Sequence, residues 1–275
     1  MNKKLIFIFT LILAVFLMVG AVSAGWFDFL GGTDTNDDQT FVVGLGDNFP
    51  PFYYKDDQTG QDTGFDIELA KEVARRNNWT IKFQQVIDWD SKEVELDSGE
   101  VDCLWAELTI DGREDDYTWS EPYFNNSQVV VVRADSSIGS FDDLKGKNVE
   151  VLASSSASNA LNGDNKSLKD SFGKVIEVND YDSAFLDLNS GVCDAIICDG
   201  GYAYYQVNEK FSNGSLVILD EPLTFEKYGI GFKKGNTDLR DKVQKTLDEM
   251  YADGTVDKIA QNYSDYKIPE GVIHP

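Results

Sequence analysis

Arg113 is the residue of this sequence whose chemistry is easiest to state. It lies in "WAELTIDGRE" (105–114), among acids, in a chain of 275 residues with a formal net charge of −24. A guanidinium presents a planar fork of N–H donors that matches a carboxylate or a phosphate. Such a cation is either an ordinary surface residue or the group that captures an anion.

Two further stretches have polar side chains where a predicted strand runs into a predicted helix. "VLASSSASNAL" (151–161) has three consecutive serines, whose hydroxyls and free N–H groups suit an anion, whereas an N-cap needs only one. "IICDGGYAYYQV" (196–207) ends its strand at Asp199, which either receives a cationic group of a ligand or caps the helix. The residues alone leave both alternatives open.

An aromatic loop follows the first predicted strand in "GDNFPPFYY" (46–54). Its prolines restrict the backbone, so the rings are held with little freedom. Loops at the carboxyl ends of strands are where open α/β sheets bind ligands. We expect Phe49 to be a platform for a ligand, while Phe52 is either a second platform or part of a lid over the core.

The surrounding elements predict an α/β fold. "TFVVGLG" (40–46) and "WTIKFQQV" (79–86) are typical of strands, and "GFDIELAKEVARRNN" (64–78) between them has its apolar residues on one helical stripe. This order predicts a βαβ unit in a largely parallel sheet with helices on its faces. Near the C-terminus, "YGIGFKK" (228–234) predicts another strand, and two helices follow, divided at "ADGT" (252–255).

A short internal similarity indicates two lobes. "LDSGEVDCL" (96–104) and "LNSGVCDAI" (188–196) share a leucine, a Ser-Gly turn and an aspartate that leads into an apolar strand. In both, the glycine is suited to end a helix in the left-handed conformation. "FDDLKGKNVEVLASSSA" (141–157) restarts the helix-turn-strand series midway, so we predict two similar α/β lobes.

The N-terminus is typical of an exported protein. Residues 1–24 have two lysines, an apolar run from Leu5 to Val19 and then Val22-Ser23-Ala24, as in a secretory signal peptide. The alternative is an uncleaved membrane anchor, for which the apolar run is slightly short. Residues 25–39 resemble a spacer. We therefore expect an extracytoplasmic location, in the periplasm or at the cell surface, with a membrane tether if the signal stays uncleaved.

Several classes of function are disfavoured. A chain this acidic has no basic patch for nucleic acid. The single histidine, His274, removes Ser-His-Asp catalysis and histidine-based metal sites, and no Gly-x-Gly-x-x-Gly or Walker sequence occurs. Cys193 and Cys198 are five residues apart on a predicted strand and face opposite sides, so we expect free thiols. No cofactor or metal is expected.

Taken together, the motifs resemble the extracellular solute-binding proteins of family 3, which serve polar amino acid ABC importers. The resemblance runs from about Phe41 to Tyr266. It rests on an ordered set of motifs: "PPFYY", "GFDIELAKEVA", "VDCLWAELTIDGRED", "YTWSEPYF", "FDDLKGKNVEVLASSS", "GVCDAIICDG", "YGIGFKKGNTDLRDKV" and "ADGTVDKIAQNY".

The resemblance implies a two-lobed, type II periplasmic-binding fold. Each lobe is expected to be a mixed, mostly parallel sheet flanked by helices, with two crossing hinge strands near 129–136 and 218–229. Lobe 1 would span 40–132 plus 226–275, and lobe 2 would span 133–225. The implied partners are a free amino acid and a membrane permease of an ABC importer, with the chain a monomer.

The resemblance also assigns ligand contacts by position. Arg113 would bind the α-carboxylate of the ligand, with hydrogen bonds from Ser155 and Ser156. Asp199 would receive the α-ammonium together with Thr109 and the backbone near Glu107. The ligand side chain would lie between two aromatic residues, Phe49 and Trp89.

The sequence departs from the family pattern at three places. The stretch between Thr109 and Arg113 is one residue shorter than in many relatives. Gly46 stands where binders of cationic amino acids carry an acid, and Glu107 stands where small or uncharged residues are usual. Glu107 therefore either serves a cationic side chain of the ligand or points to solvent.

Two other functions remain as alternatives to a binding protein. One is a secreted cyclohexadienyl-dehydratase-like enzyme on the same scaffold, with a pocket carboxylate such as Glu107 as general acid. The other is the ligand-binding domain of a sensor or receptor. An Arg-plus-Asp cage for an amino-acid backbone favours binding without catalysis, so we do not expect an enzyme.

Overall fold

The computed structural model describes residues 39–56, 58–86 and 89–275. The predicted signal peptide and residues 25–38 of the predicted spacer lie outside the described residues. In the part of the chain that is described, no helix is both long and apolar enough to cross a membrane.

Thirteen strands and nine α-helices are described. The strands are β1 Thr40–Leu45, β2 Tyr54–Lys55, β3 Asp62–Thr63, β4 Thr80–Gln85, β5 Cys103–Leu104, β6 Thr118–Trp119, β7 Phe124–Arg133, β8 Asn148–Leu152, β9 Lys174–Val178, β10 Ala195–Asp199, β11 Leu216–Ile218, β12 Thr224–Tyr228 and β13 Gly231–Phe232. The helices are α1 Phe65–Arg76, α2 Lys92–Ser98, α3 Ser156–Asn162, α4 Lys166–Lys169, α5 Tyr181–Ser190, α6 Gly200–Tyr205, α7 Thr237–Ala252, α8 Thr255–Gln261 and α9 Ile268–Gly271.

The first sheet has the strand order β4-β1-β5-β13-β6. β1 pairs in parallel with both β4 and β5, as the βαβ pattern predicts. Helix α1 buries its apolar stripe against this sheet, because Phe65, Leu69 and Val73 recur at helical spacing and are almost fully buried. The lobe built on this sheet is called the first-sheet lobe below.

The second sheet has the order β11-β7-β10-β8-β9, with β12 also paired to β7. β8 runs parallel to β9 and β10, while β7 runs antiparallel to β10, β11 and β12. Apolar clusters cover both faces of this sheet, which is why the β10 sequence "AIICD" shows no apolar-polar alternation. The lobe built here is the second-sheet lobe.

The expected two-lobed α/β architecture with mixed sheets is confirmed. The antiparallel share is larger than "mostly parallel" suggests, because β7 and β13 run against the strands beside them. β7 and β12 pair along Phe124–Gln128 and Thr224–Tyr228, and they are the two crossing strands. The predicted lobe boundaries at 132 and 226 fall within these strands and stay predictions.

After β12 the chain returns to the first sheet. The predicted strand at 228–234 is divided: Tyr228 ends β12 in the second sheet, whereas Gly231–Phe232 forms β13 in the first. Helices α7 and α8 then pack on the first sheet through a set of buried residues that includes Val243, Met250 and Val256. The prediction of one more strand is confirmed by β13, which is shorter than the predicted stretch because the chain changes sheets within it.

The internal similarity corresponds to two equivalent turns. Gly99 ends α2 with φ 81° and Gly191 ends α5 with φ 82°, and both are left-handed caps, as predicted. The chain then enters β5 and β10, which lie inside the first and second sheets respectively. Cys103, Cys193 and Cys198 are free and buried, as predicted, but Cys193 precedes β10, so the argument from opposite faces of one strand does not apply to it.

Candidate functional site

A cavity of about 500 Å³ is lined by residues from both lobes. It opens at the carboxyl ends of β1, β8 and β10, the edge at which open α/β sheets bind ligands. Its volume is in the range of about 300–1,000 Å³ that is usual for small-molecule sites. All eight residues predicted for the site line it: Phe49, Trp89, Glu107, Thr109, Arg113, Ser155, Ser156 and Asp199.

Arg113 lies in the loop between β5 and β6 and lines the cavity. Its Nη1 donates to the carbonyl oxygen of Thr109 at 3.1 Å, and its own carbonyl accepts from Nε1 of Trp119 at 3.1 Å. Hydrogen bonds therefore hold both the side chain and the backbone of Arg113 in place. The shorter stretch between Thr109 and Arg113 does not take the guanidinium away from the cavity.

The serines lie where β8 meets α3. Ser155 caps α3: its Oγ accepts from the backbone N–H of Ser158 at 3.1 Å and donates to the carbonyl of Leu152 at 2.7 Å. Ser156 instead extends toward the other lobe, with its Oγ 3.2 Å from the Oγ1 of Thr109. One serine thus fills the ordinary capping role, and the next makes a contact between lobes.

Asp199 is buried and does not use its side chain to cap α6. Its Oδ1 accepts from Nδ2 of Asn126 at 2.7 Å, Nε2 of Gln128 at 2.8 Å and the hydroxyl of Tyr228 at 2.7 Å. The hydroxyl of Tyr181 donates to Oδ2 at 3.2 Å. Of the two alternatives for Asp199, the helix cap is therefore wrong.

Glu226 lies beside Asp199 and is also buried. Its Oε1 accepts from the same two amides, Asn126 and Gln128, each at 2.6 Å, and its Oε2 accepts from Oγ1 of Thr109 at 2.8 Å. Because the hydroxyl proton of Thr109 is donated to Glu226, Ser156 is the donor in the Ser156–Thr109 contact. One network thus connects both crossing strands and both lobes.

Glu226 also affects the protonation of Asp199. Burial, followed by the negative charge of Glu226, raises the pKa of Asp199 to about 7, although hydrogen bonds from Tyr228 and Gln128 lower it. A second negative charge this close in a buried site disfavours the ionised form of Asp199. Near pH 7, Asp199 therefore holds a proton for a large part of the time.

The aromatic residues divide into two roles. Phe52 is fully buried and packs edge-on against Phe124 and Tyr228, with ring centroids 5.0 and 5.5 Å away. It belongs to the core, which decides between the two alternatives left open for it. Phe49 and Trp89 are only partly buried and line the cavity. The ring of Phe49 also packs, tilted by 39°, against the ring of Tyr202 in the second-sheet lobe, with 4.9 Å between the centroids, so Phe49 contacts both lobes.

Glu107 is directed into the cavity and not to bulk solvent. Its Oε2 is buried and has no hydrogen-bond partner. Its backbone is in the left-handed region, with φ 45°, and its N–H donates to Oδ2 of Asp66 at 3.0 Å. Burial and the negative charges of Asp66, Asp199 and Asp47 raise the pKa of Glu107 well above its usual range.

Asp66 lies directly behind Glu107 and is fully buried. Its Oδ2 also accepts from the hydroxyl of Tyr123 at 2.9 Å, whereas Oδ1 has no partner. Burial raises the pKa of Asp66 to about 7, partly offset by the hydrogen bonds from Glu107 and Tyr123. The first-sheet lobe therefore adds a second buried acid close to the cavity wall.

The sequence analysis did not find the residues that support the site. Asn126, Gln128 and Glu226 lie on the crossing strands, and Asp66 is on the buried face of α1. One signal was available: four consecutive polar residues, 125–128, lie near the start of the otherwise apolar strand "FNNSQVVVV", and Asn126 and Gln128, two positions apart, share a face. Asp66, placed in an apolar helical stripe, was a second such signal.

Comparison with known proteins agrees with this geometry. The sequence model of the bacterial extracellular solute-binding proteins, family 3, matches residues 41–266. The ABC transporter glutamine-binding protein GlnH of Bacillus subtilis is 31% identical over 230 residues, covering 82% of each chain. An ancestral arginine-binding protein with bound arginine is 37% identical with a TM-score of 0.71, over 82% of this chain and 97% of that one. A histidine-bound ABC substrate-binding protein from Streptococcus pneumoniae is 26% identical with a TM-score of 0.75, over 82% and 93%.

Proposed function

Because this chain belongs to the bacterial extracellular solute-binding proteins of family 3, we propose that it captures a polar amino acid between its lobes and delivers it to an ABC importer. The observation that carries the proposal is that Arg113 and Asp199, from different lobes, line one cavity of amino-acid size. A zwitterionic amino acid has a carboxylate for Arg113 and an ammonium for Asp199. Binding proteins among the relatives support the same conclusion.

In this proposal Arg113 binds the ligand α-carboxylate through its planar fork, and Ser156 adds a hydrogen bond from its backbone N–H at the start of α3, since its hydroxyl proton is donated to Thr109. Asp199 receives the α-ammonium, with Oγ1 of Thr109 as a further acceptor. Ser155 contributes through its backbone, since its hydroxyl already bonds Leu152 and Ser158. The ligand side chain then extends between Phe49 and Trp89 toward Glu107.

Such a ligand favours the closed arrangement of the lobes. The carboxylate contact is on the first-sheet lobe and the ammonium contact is on the second-sheet lobe, so both are made only when the lobes are together. A ligand shifts a conformational equilibrium by its difference in affinity for the two states. Here that difference is the salt bridge to Asp199, which the open state lacks.

The test is calorimetric titration of the ligand-free chain with the free L-amino acids, after unfolding and refolding to remove any ligand acquired during expression. We expect at least one to bind and to raise the melting temperature, because a ligand at 100 times its Kd stabilises the native state by about 2.7 kcal/mol. If no amino acid binds, the proposal is wrong.

The same preparation tests the enzyme alternative, which the raised pKa of Glu107 makes worth measuring, because a general acid needs such a group. We propose that the chain has no catalytic role and expect no turnover of prephenate or arogenate. Conversion of either prephenate or arogenate would favour the dehydratase.

We also propose that residues 1–24 direct export, that the chain is a monomer, and that a membrane permease receives its ligand.

A further inference from the structure

Resting on the proposed function, we infer that Glu107 determines specificity and selects an amino acid with a cationic side chain, arginine in particular. The inference starts from the unpartnered, buried Oε2 of Glu107 at the wall of the cavity. A buried carboxyl oxygen without a partner is costly in a folded protein unless a ligand completes it.

The charges along the cavity leave this carboxyl unmatched when a zwitterion is bound. Arg113 is matched by the ligand carboxylate, and the Asp199–Glu226 pair is matched by the ammonium. Lys92, the other cation among the described lining residues, has its Nζ 3.2 Å from Glu93 Oε1 and 3.2 Å from the carbonyl of Trp89. Among the described lining residues, Glu107 and Asp47 are then the charged groups that the zwitterion does not match with an opposite charge, and both are acids.

The shape of the cavity near Glu107 suits a planar cation. A Cβ built on Gly46 would lie 3.6 Å from Oε1 of Glu107 and 3.5 Å from the six-membered ring of Trp89. The carboxyl and the indole therefore meet over Gly46, where no side chain fills the space. A guanidinium can bond a carboxylate through its edge and stack on an aromatic ring through its face, which a compact ammonium does less well.

The backbone at Glu107 fixes the direction of the side chain. Its φ of 45° is a conformation that residues other than glycine, asparagine and aspartate rarely adopt, and the bond from its N–H to the buried Asp66 holds it there. The strain is maintained by the surrounding structure. This is the behaviour expected of a residue that binds and not of one directed to solvent.

The experiment compares L-arginine with L-citrulline, its neutral isostere, by calorimetry on the full chain. We expect wild-type protein to bind L-arginine at least about 30-fold more tightly, since a lost charge partner in a desolvated site has about that effect or more. In Glu107→Gln the ratio should fall to about 3 or less. Glu100→Gln, which removes an exposed acid of the same lobe, should keep the wild-type ratio.

A second measurement does not depend on how the variant folds. Arginine should release more protons from the wild-type protein than citrulline does, measured as heat in two buffers of different ionisation enthalpy, because the cation makes Glu107 ionise. Equal binding of the two ligands, or a ratio unchanged in Glu107→Gln, overturns the inference and leaves the proposed function standing. Failure of every amino acid to bind overturns both.

Discussion

The buried pair Asp199–Glu226 predicts that ligand affinity depends on pH in a defined direction. Below pH 7 Asp199 holds a proton when no ligand is bound, because burial and the neighbouring carboxyl raise the pKa of Asp199 to about 7. A ligand ammonium needs the ionised form, so below pH 7 the proton must leave before the ligand binds. Each pH unit below 7 should therefore weaken binding about tenfold, which is 1.36 kcal/mol per unit.

The measurement is the Kd of L-glutamine by calorimetry at pH 5.5, 6.5, 7.5 and 8. Its side chain is uncharged, so Glu107 adds no ion pair, and free amino acids stay zwitterionic throughout this range. From a pKa of about 7, the Kd at pH 5.5 should be about 30 times the value at pH 8. In Glu226→Gln the dependence should be smaller, because the second cause of the shift is removed. An affinity that is constant from pH 5.5 to 8, with the protein folded throughout, would refute the reasoning.

Three further predictions concern single residues. Arg113→Ala should weaken amino-acid binding at least about 100-fold in calorimetry; retained affinity would show that Arg113 does not bind the carboxylate. Asp66, whose folded pKa of about 7 lies above its ordinary 3.8, stabilises the fold fully below pH 3.8 and loses that contribution as pH rises to 7. The free energy of unfolding of Asp66→Asn, measured with urea, should therefore rise relative to that of wild type by about 1.4 kcal/mol per pH unit between pH 3.8 and 7. The same dependence of this free energy on pH in both proteins would contradict the prediction. Gly201→Ala should disfavour the closed state by about 1–3 kcal/mol, because the added Cβ would lie 2.7 Å from the ring of Phe52, which is fully buried in the other lobe. We expect weaker ligand binding in calorimetry. An unchanged Kd would mean that the contact relaxes without cost.

Residues at strand ends could be predicted from the sequence because their positions follow from local rules. Asp199 is the last residue of β10, Phe49 and Ser155 follow β1 and β8 within four residues, and the ends of neighbouring strands meet at one edge of a sheet. Arg113 and Glu107 depended on the family motif as well. Local patterns therefore predicted part of the cavity lining, but not the protonation of the groups in it.

The supporting network could not be predicted in the same way, since it depends on pairing across the chain. Glu226 meets Asn126 through the register of β12 on β7, two strands separated by 100 residues. The bounds of the strand in "YGIGFKK" could not be predicted for a related reason: nothing local marks the residue at which the chain passes from the second sheet back to the first. Register between distant strands is set by the packing of both lobes.

The contacts at Thr109 connect ligand binding to the relative position of the lobes. Its hydroxyl donates to Glu226 on a crossing strand and accepts from Ser156 on the second-sheet lobe, while its carbonyl accepts from Arg113. Glu226 shares two amide donors with Asp199, so a change of charge at the ammonium position changes the hydrogen bonding between the crossing strands. In this structure the groups proposed to bind the ligand and the strands on which the lobes would turn are therefore parts of one network. In the proposed complex the ligand ammonium replaces the proton at Asp199 and compensates the charge of the buried carboxyls, which we expect to favour closure because the contact of Arg113 with the ligand carboxylate is on the first-sheet lobe.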